Sequence, residues 1–209
     1  MAAGLGKVLP FVALGFLFLA GKSKAGGSSV ITSTGPKKTK TSTSDGGAKT
    51  WAQKRYELAH DYFKKYWGDA MDDEAAKQAA LSVLAHWSLE TGSGAGEYNF
   101  NVGNVHAVGS EPWFSSGDTS TAGKKYTASF AAFDTLEDGV RAYFDLLEKR
   151  YESCLQQLVS KPEEADWFKC LGRNGYYAAT MKGKDNIEPA AASWAARRAL
   201  LAQYASSSS

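Results

Sequence analysis

Glu90 is the residue of this chain whose surroundings best suit it to proton transfer. It closes the apolar stretch Ala85-His-Trp-Ser-Leu-Glu and opens directly onto Thr91-Gly-Ser-Gly-Ala-Gly. A carboxylate at the last turn of a helix meets the unfavourable end of the helix dipole, and Trp87 and Leu89 as neighbours withhold water, so both influences favour its protonated form. A carboxyl that keeps its proton near neutral pH is what a general acid requires when it must protonate a leaving oxygen. A lone carboxylate of this kind is ordinarily a solvated helix end, so the context decides. Rival chemistries find little support. There is no Gly-rich phosphate loop, no Ser-His-Asp order and no Cys-His pair. His60, His86 and His106 stand without ligand spacing, and the two cysteines form no CxxC, so neither a metal nor another cofactor is expected.

The elements that must position Glu90 are mainly helical. Trp51, Arg55, Leu58, Ala59, Tyr62, Phe63 and Tyr66 recur at helical spacing until Gly68 stops the pattern. Asp72, Asp73 and Glu74 start a second helix whose stripe of Ala76, Ala80, Val83, Leu84 and Trp87 leads to Glu90. A Gly-, Asn-, Ser- and aromatic-rich stretch follows, with β-like segments over 101–105 and 126–133, and reads as a loop-and-hairpin lobe. Thr135-Leu-Glu-Asp resembles a capping box, and Leu136, Val140, Tyr143, Phe144, Leu147, Tyr151, Leu155 and Leu158 predict one long scaffold helix. Pro162 opens a shorter helix to Leu171, and residues 188–204 carry a last helical pattern. An antiparallel turn would bring Cys154 and Cys170 together; they are either a disulfide or two buried thiols.

The chain has 209 residues, 44% hydrophobic, 22% charged and 12% aromatic, which suits one globular domain plus accessory sequence and excludes a collagen, a coiled coil or a wholly disordered protein. Its net charge of +2 hides an asymmetry: residues 1–50 hold seven Lys against Asp45, and the remainder holds 17 Lys+Arg against 21 Asp+Glu. A body with an acidic excess is a poor partner for a phosphate backbone, so nucleic acid is not an expected ligand. Within 1–21, the uncharged run VLPFVALGFLFLAG at 8–21 is shorter than a comfortable bilayer span and reads as a membrane anchor or a signal segment. The lysines that follow it favour keeping that side in the cytoplasm, a conflict with export that a virus-encoded protein delivered by its virion membrane would avoid. Residues 22–50, dominated by Ser, Thr, Gly and Lys, form a disordered basic tether with an r.m.s. span of roughly 30 Å. The catalytic candidate lies in the third segment, 51–209.

Several motifs in order change the standing of Glu90. Glu90-Thr-Gly-Ser-Gly, then Asn99-Phe-Asn-Val-Gly-Asn-Val, Phe130-Ala-Ala-Phe133, the helix opening at Thr135-Leu-Glu-Asp-Gly-Val, and Gly175-Tyr176 together resemble the glucosaminidase family of bacterial autolysins and flagellar-rod muramidases. The resemblance runs over roughly residues 51–204 and implies an α+β, mostly α, lysozyme-like fold with a small hairpin lobe, acting on the glycan strands of peptidoglycan. It implies Glu90 as proton donor and Tyr176 as the tyrosine beside the cleft. It also implies a second carboxylate on the lobe, matched here by Asp118, with Glu111 and Glu97 as alternatives. Asp stands at 118 where the family has Glu, and Asn104-Val105 where it often has an apolar residue and Lys. Asp118 would stabilise an oxocarbenium-like centre or activate water, or only orient the substrate's own N-acetyl group. Tyr98, Asn101 and Trp113 are the substrate-binding candidates. A transglycosylase needing one carboxylate, and a wall-binding or virion structural protein without turnover, are the competing readings.

Overall fold

A computed structural model describes residues 39, 48–108, 112–119, 125–177 and 187–206. The apolar run at 8–21 and nearly all of the tether lie outside the described residues. Among the described residues seven helices and one hairpin follow in order: α1 (Ala48–Trp67), α2 (Asp73–Glu90), β1 (Trp113–Thr119), β2 (Lys125–Ala131), α3 (Leu136–Arg150), α4 (Glu152–Ser160), α5 (Asp166–Arg173), α6 (Glu188–Leu201) and α7 (Gln203–Ser206). The architecture is the mostly helical α+β arrangement with a hairpin lobe that the sequence leads one to expect. Among the described residues no helix is long and apolar enough to cross a membrane.

Helix α2 is the central element. Asp72 caps it, its carboxylate accepting from the Ala75 N–H at 2.8 Å, and Asp73 and Glu74 add negative charge to the first turn. From Ala79 to Ser88 every residue is buried, so the helix is enclosed on all sides rather than along one stripe. α1 and α6 pack along it, and Trp194 of α6 donates its indole N–H to the Ser82 carbonyl at 3.0 Å. Trp87, Trp167, Trp194, Tyr56, Tyr143, Phe63 and Phe144 fill the core with almost no exposed surface.

The helix stops where its sequence directs it. The Thr91 N–H and hydroxyl both donate to the Trp87 carbonyl, at 2.9 and 2.8 Å. Gly92 takes φ +57, and the Ser93 N–H returns to the Ser88 carbonyl at 2.8 Å. That is the left-handed turn which satisfies the last carbonyls of a helix and which glycine adopts without a steric penalty.

Other boundaries differ from expectation. α1 starts at Ala48, two residues before the tether was expected to end. The single scaffold helix is two: α3 is capped at Tyr151 (φ −132, ψ 31), outside the helical region, and α4 starts at Glu152. Thr135 does cap α3, accepting from the Asp138 N–H at 3.1 Å. The break lets α4 pack against α5, where Cys154 and Cys170 form a disulfide with Cα atoms 5.4 Å apart. Pro162 opens no helix; its carbonyl accepts from the Ser82 hydroxyl, and α5 begins at Asp166. The final helical pattern breaks at Ala202, between α6 and α7.

In the lobe, β1 pairs antiparallel with β2 from Trp113↔Ala131 to Thr119↔Lys125. Its buried face carries a satellite cluster of Phe114, Ala128 and Phe130, apart from the main core. Residues 101–105 are not a strand. Asn104 has φ +51, and only His106 bridges to Phe130, with the Ala131 N–H reaching the Val105 carbonyl at 2.9 Å.

Candidate active site

Position i+4 on a helix lies above position i, so α2 presents His86 and Glu90 on one face at its C-terminal end. The Glu90 side chain keeps 19% of its surface exposed, whereas His86 is completely buried. Asn104 holds Glu90 from the loop: its amide donates to the Glu90 carbonyl at 2.9 Å and to Oε2 at 3.1 Å. The second carboxylate oxygen, Oε1, lies 3.6 Å from His86 Nε2. Asn104 is the site residue that sequence reasoning passed over. Its left-handed φ is a conformation Asn tolerates better than most residues, and that backbone turn aims its amide at the helix end.

The loop is pinned on both sides. Glu97 is fully buried and receives Arg55 Nε at 2.8 Å and Trp51 Nε1 at 2.9 Å, with a further Arg55 bond completing a two-pronged ion pair. This excludes Glu97 as the second catalytic carboxylate, since both of its oxygens are spent on α1. Asn101 is corrected too. Only 1% exposed, it donates to the Val105 and Ala131 carbonyls at 2.8 and 2.9 Å and accepts from the Val105 N–H at 2.7 Å. An amide so committed shapes the loop and ties it to β2, and its burial keeps it from the surface a substrate would reach.

Tyr176 does sit at the site. Its ring centroid is 5.0 Å from that of His86, and its hydroxyl donates to the Gly103 carbonyl at 2.7 Å. Gly103 must be glycine there, because a Cβ would strike the Tyr143 ring and lie 2.8 Å from the Tyr176 hydroxyl. Burial, and then the nearby Tyr143 and Glu90, push the Tyr176 phenol well above the usual tyrosine value. Burial followed by Glu90 does the same for Tyr143 and Tyr177. These three phenols remain protonated, so none of them is a base at neutral pH; Tyr176 and Tyr177 donate to backbone carbonyls.

The lobe candidates are placed less centrally. Tyr98 is half-buried, packed on the satellite cluster with its ring 6.1 Å from that of Phe114, and Trp113 is half-buried at the start of β1. Position 118 pairs with position 126 in the hairpin; the Asp118 side chain and the whole of Glu111 lie outside the described residues. The tether also meets the loop. Thr39 donates its N–H to Asn99 Oδ1 at 3.0 Å, and the Asn99 N–H donates back to the Thr39 carbonyl at 2.9 Å. Among the described residues no group of His, Cys, Asp and Glu could hold a metal ion.

The arrangement therefore offers one partly exposed carboxyl, fixed through one oxygen by an amide donor and walled by protonated phenols. Such a group can deliver a proton to a leaving oxygen or receive one back.

Residues 68–207 match the family model glucosaminidase, described as mannosyl-glycoprotein endo-beta-N-acetylglucosaminidase. Among solved structures, the peptidoglycan hydrolase from Sphingomonas sp. A1 is similar at 22% identity, with 72% of this chain and 96% of that chain covered and a TM-score of 0.47. A mutant of that hydrolase is similar at 20% identity, with 72% of this chain and 98% of that chain covered and a TM-score of 0.48. Among curated proteins none matches. The family match extends from the end of α1 through α7, more than half of the 209 residues, and takes in the Glu90 helix end, the Asn104 loop and Tyr176: the chain belongs to the glucosaminidase family.

Proposed function

We propose that the protein hydrolyses the glycan strand of peptidoglycan at a β-1,4 bond of N-acetylglucosamine, with Glu90 as the general acid. The observation that carries this reading is the state of Glu90. It is a carboxyl at a helix end within the family match, partly open to solvent and gripped by Asn104, whereas Glu97 is consumed by Arg55. In the first step Glu90 gives its proton to the glycosidic oxygen as positive charge develops at the sugar carbon. Asp118, carried on β1, is proposed to answer that charge or to orient the acetamido group of the substrate. Tyr98 and Trp113 would border the sugar path from the lobe. Tyr176 is proposed to act through Gly103, keeping the Asn104 loop at the correct height beside the carboxyl.

The enzyme is proposed to work in the cell envelope, held at a membrane by the apolar run 8–21 through the tether. The Cys154–Cys170 disulfide supports a location outside the reducing cytosol. Mass spectrometry of muropeptides released from purified walls tests the chemistry. New reducing ends on N-acetylglucosamine with the mass of added water agree with the proposal. Anhydro ends would make the enzyme a transglycosylase, and no release at all would favour a binding or structural role.

A further inference from the structure

The deepest polar group at the site is His86, and the acid reaction outlined above does not use it. Its Nδ1 lies 2.8 Å from the Tyr143 hydroxyl, while its Nε2 is completely buried and makes no hydrogen bond, with Glu90 Oε1 3.6 Å away. The ring is enclosed by Tyr143 from α3, by Trp167 and Phe168 from α5, and by Tyr176 and Tyr177 beyond α5. Of the groups facing it, Tyr143, Tyr176, Tyr177 and Glu90 titrate. An imidazole walled by five aromatic rings has little freedom to turn away, so Nε2 stays aimed at the carboxyl.

We propose that His86, oriented by Tyr143, is a positioning residue whose Nε2–H engages Glu90 Oε1 as the carboxyl loses its proton. The inference rests on the reading of Glu90 as the acid. The tautomer follows from the hydrogen-bond network. Tyr143 keeps its phenolic proton, since burial raises it well above the ordinary value. With Tyr143 assigned as the donor to Nδ1, the ring hydrogen lies on Nε2, facing Glu90.

The distances give this donor a differential role. At 3.6 Å the contact is too long for a hydrogen bond to the resting carboxyl. When the proton passes from Glu90 to the glycosidic oxygen, the electron pair of the breaking C–O bond goes to that oxygen and Glu90 becomes a carboxylate. Asn104 already serves Oε2, and Oε1 is the oxygen left with room for a donor. A bond that forms as charge appears stabilises the transition state more than the ground state, which raises kcat without tightening substrate binding. A buried donor left unmatched costs stability in the resting protein, which is the kind of cost retained at functional sites.

Four measurements on the full chain test this. Nitrogen-15 NMR of histidine-labelled wild type should find His86 as the Nε2–H tautomer; an Nδ1–H tautomer would overturn the proposal whatever the activity. Replacing both polar partners, His86→Phe with Tyr143→Phe, keeps the aromatic packing and removes the donor. Its kcat on solubilised glycan strands should fall roughly 10- to 100-fold, the scale of a lost hydrogen bond to a charged group, with KM within about 2-fold. His86→Gln, which returns an amide donor near Nε2, should recover most of that loss. A double variant that turns over like wild type, or a drop expressed in KM and melting temperature that His86→Gln does not relieve, would sink the inference. Glu90→Gln separates the two layers: if it is inactive and the double variant is active, only the role of His86 fails, whereas an active Glu90→Gln overturns the acid assignment itself.

Discussion

The end of α2 and the hairpin lobe hold the two halves of the proposed chemistry, and they are built very differently. Around α2, long-range bonds converge: Trp194 and Arg198 on Ser82, Tyr143 on His86, Asn104 on Glu90. The side chains there are enclosed by a core running from Trp51 to Tyr204. The hairpin has a buried cluster of Phe114, Ala128 and Phe130, with Tyr98 and Ala132 packed against it, and a two-stranded sheet with so small an apolar face is marginal alone. Among the described residues its attachments include the Asn101 bond to Ala131, the Ala131–Val105 and Ala107–Ser129 backbone bonds and the His106–Phe130 bridge, and the Glu97 ion pair ties the loop before it to α1. Glu90 is thus held by the main core, whereas the hairpin that carries Asp118 rests on a small cluster of its own, a division that would suit the proposed polymeric substrate.

The strongest way to break this division is at Glu97. Glu97→Gln leaves the Arg55 guanidinium buried without its counter-charge, a loss of about 3–5 kcal/mol. Thermal unfolding should move down by roughly 10 °C for a domain of this size. A melting point within a degree or two of wild type would show that the pair does not clamp the lobe to α1.

The disulfide tests the other side of the comparison. It closes a 16-residue separation between α4 and α5, far along the chain from the hairpin. Cys154→Ser with Cys170→Ser should cost about 3 kcal/mol of stability. Hydrogen exchange of the β1 and β2 amides should stay as in wild type while that of α4 and α5 speeds up. Equal acceleration in both regions would mean that the two are one cooperative unit.

Asn104 is where the regions meet, and Asn104→Gly keeps the left-handed backbone while deleting the amide. Turnover should fall about 10-fold, the scale of a lost hydrogen bond to a charged oxygen, with little change in melting temperature. An unchanged rate would show that Glu90 needs no support from the loop.

The smallest effect belongs to the exposed start of α2. Lys64 and Lys77, through their hydrogen bonds, hold the Asp73 carboxyl down at about 2, below its ordinary 3.8. A folded value below the unfolded one adds stability that is complete above about pH 4 and disappears as pH falls through about 2. Asp73→Asn should therefore lower stability slightly at neutral pH and flatten that part of the acid-unfolding curve, the two proteins converging as pH falls through about 2. A difference that persisted unchanged below about pH 2 would point to another cause.

What could be read from the sequence is what local chemistry determines. Asp72 to Glu74 start α2 and Gly92 ends it, so the position of Glu90 was legible before any contact was known. The break at Tyr151 was not, because the apolar stripe from Leu136 to Leu158 stays in phase across it; packing of α4 on α5 imposes the turn. Glu97 and Asn101 looked available because their partners Arg55 and Ala131 lie 42 and 30 residues away. His86 carried no ligand spacing and drew no attention, yet its meaning is the phenol that reaches it from 57 residues further on. Asn104 stood out only as a departure from the family pattern, and the departure turns out to be the residue that grips Glu90.

The central claim is that Glu90 supplies the proton. Its most direct measurement is the rate of muropeptide release from purified walls by Glu90→Gln beside wild type, with the melting temperature of both recorded. The substitution keeps the shape and the Asn104 contact and removes the proton, so release should fall by at least ~10²-fold while stability is nearly unchanged. Release at a near-normal rate from a folded Glu90→Gln protein would contradict the account.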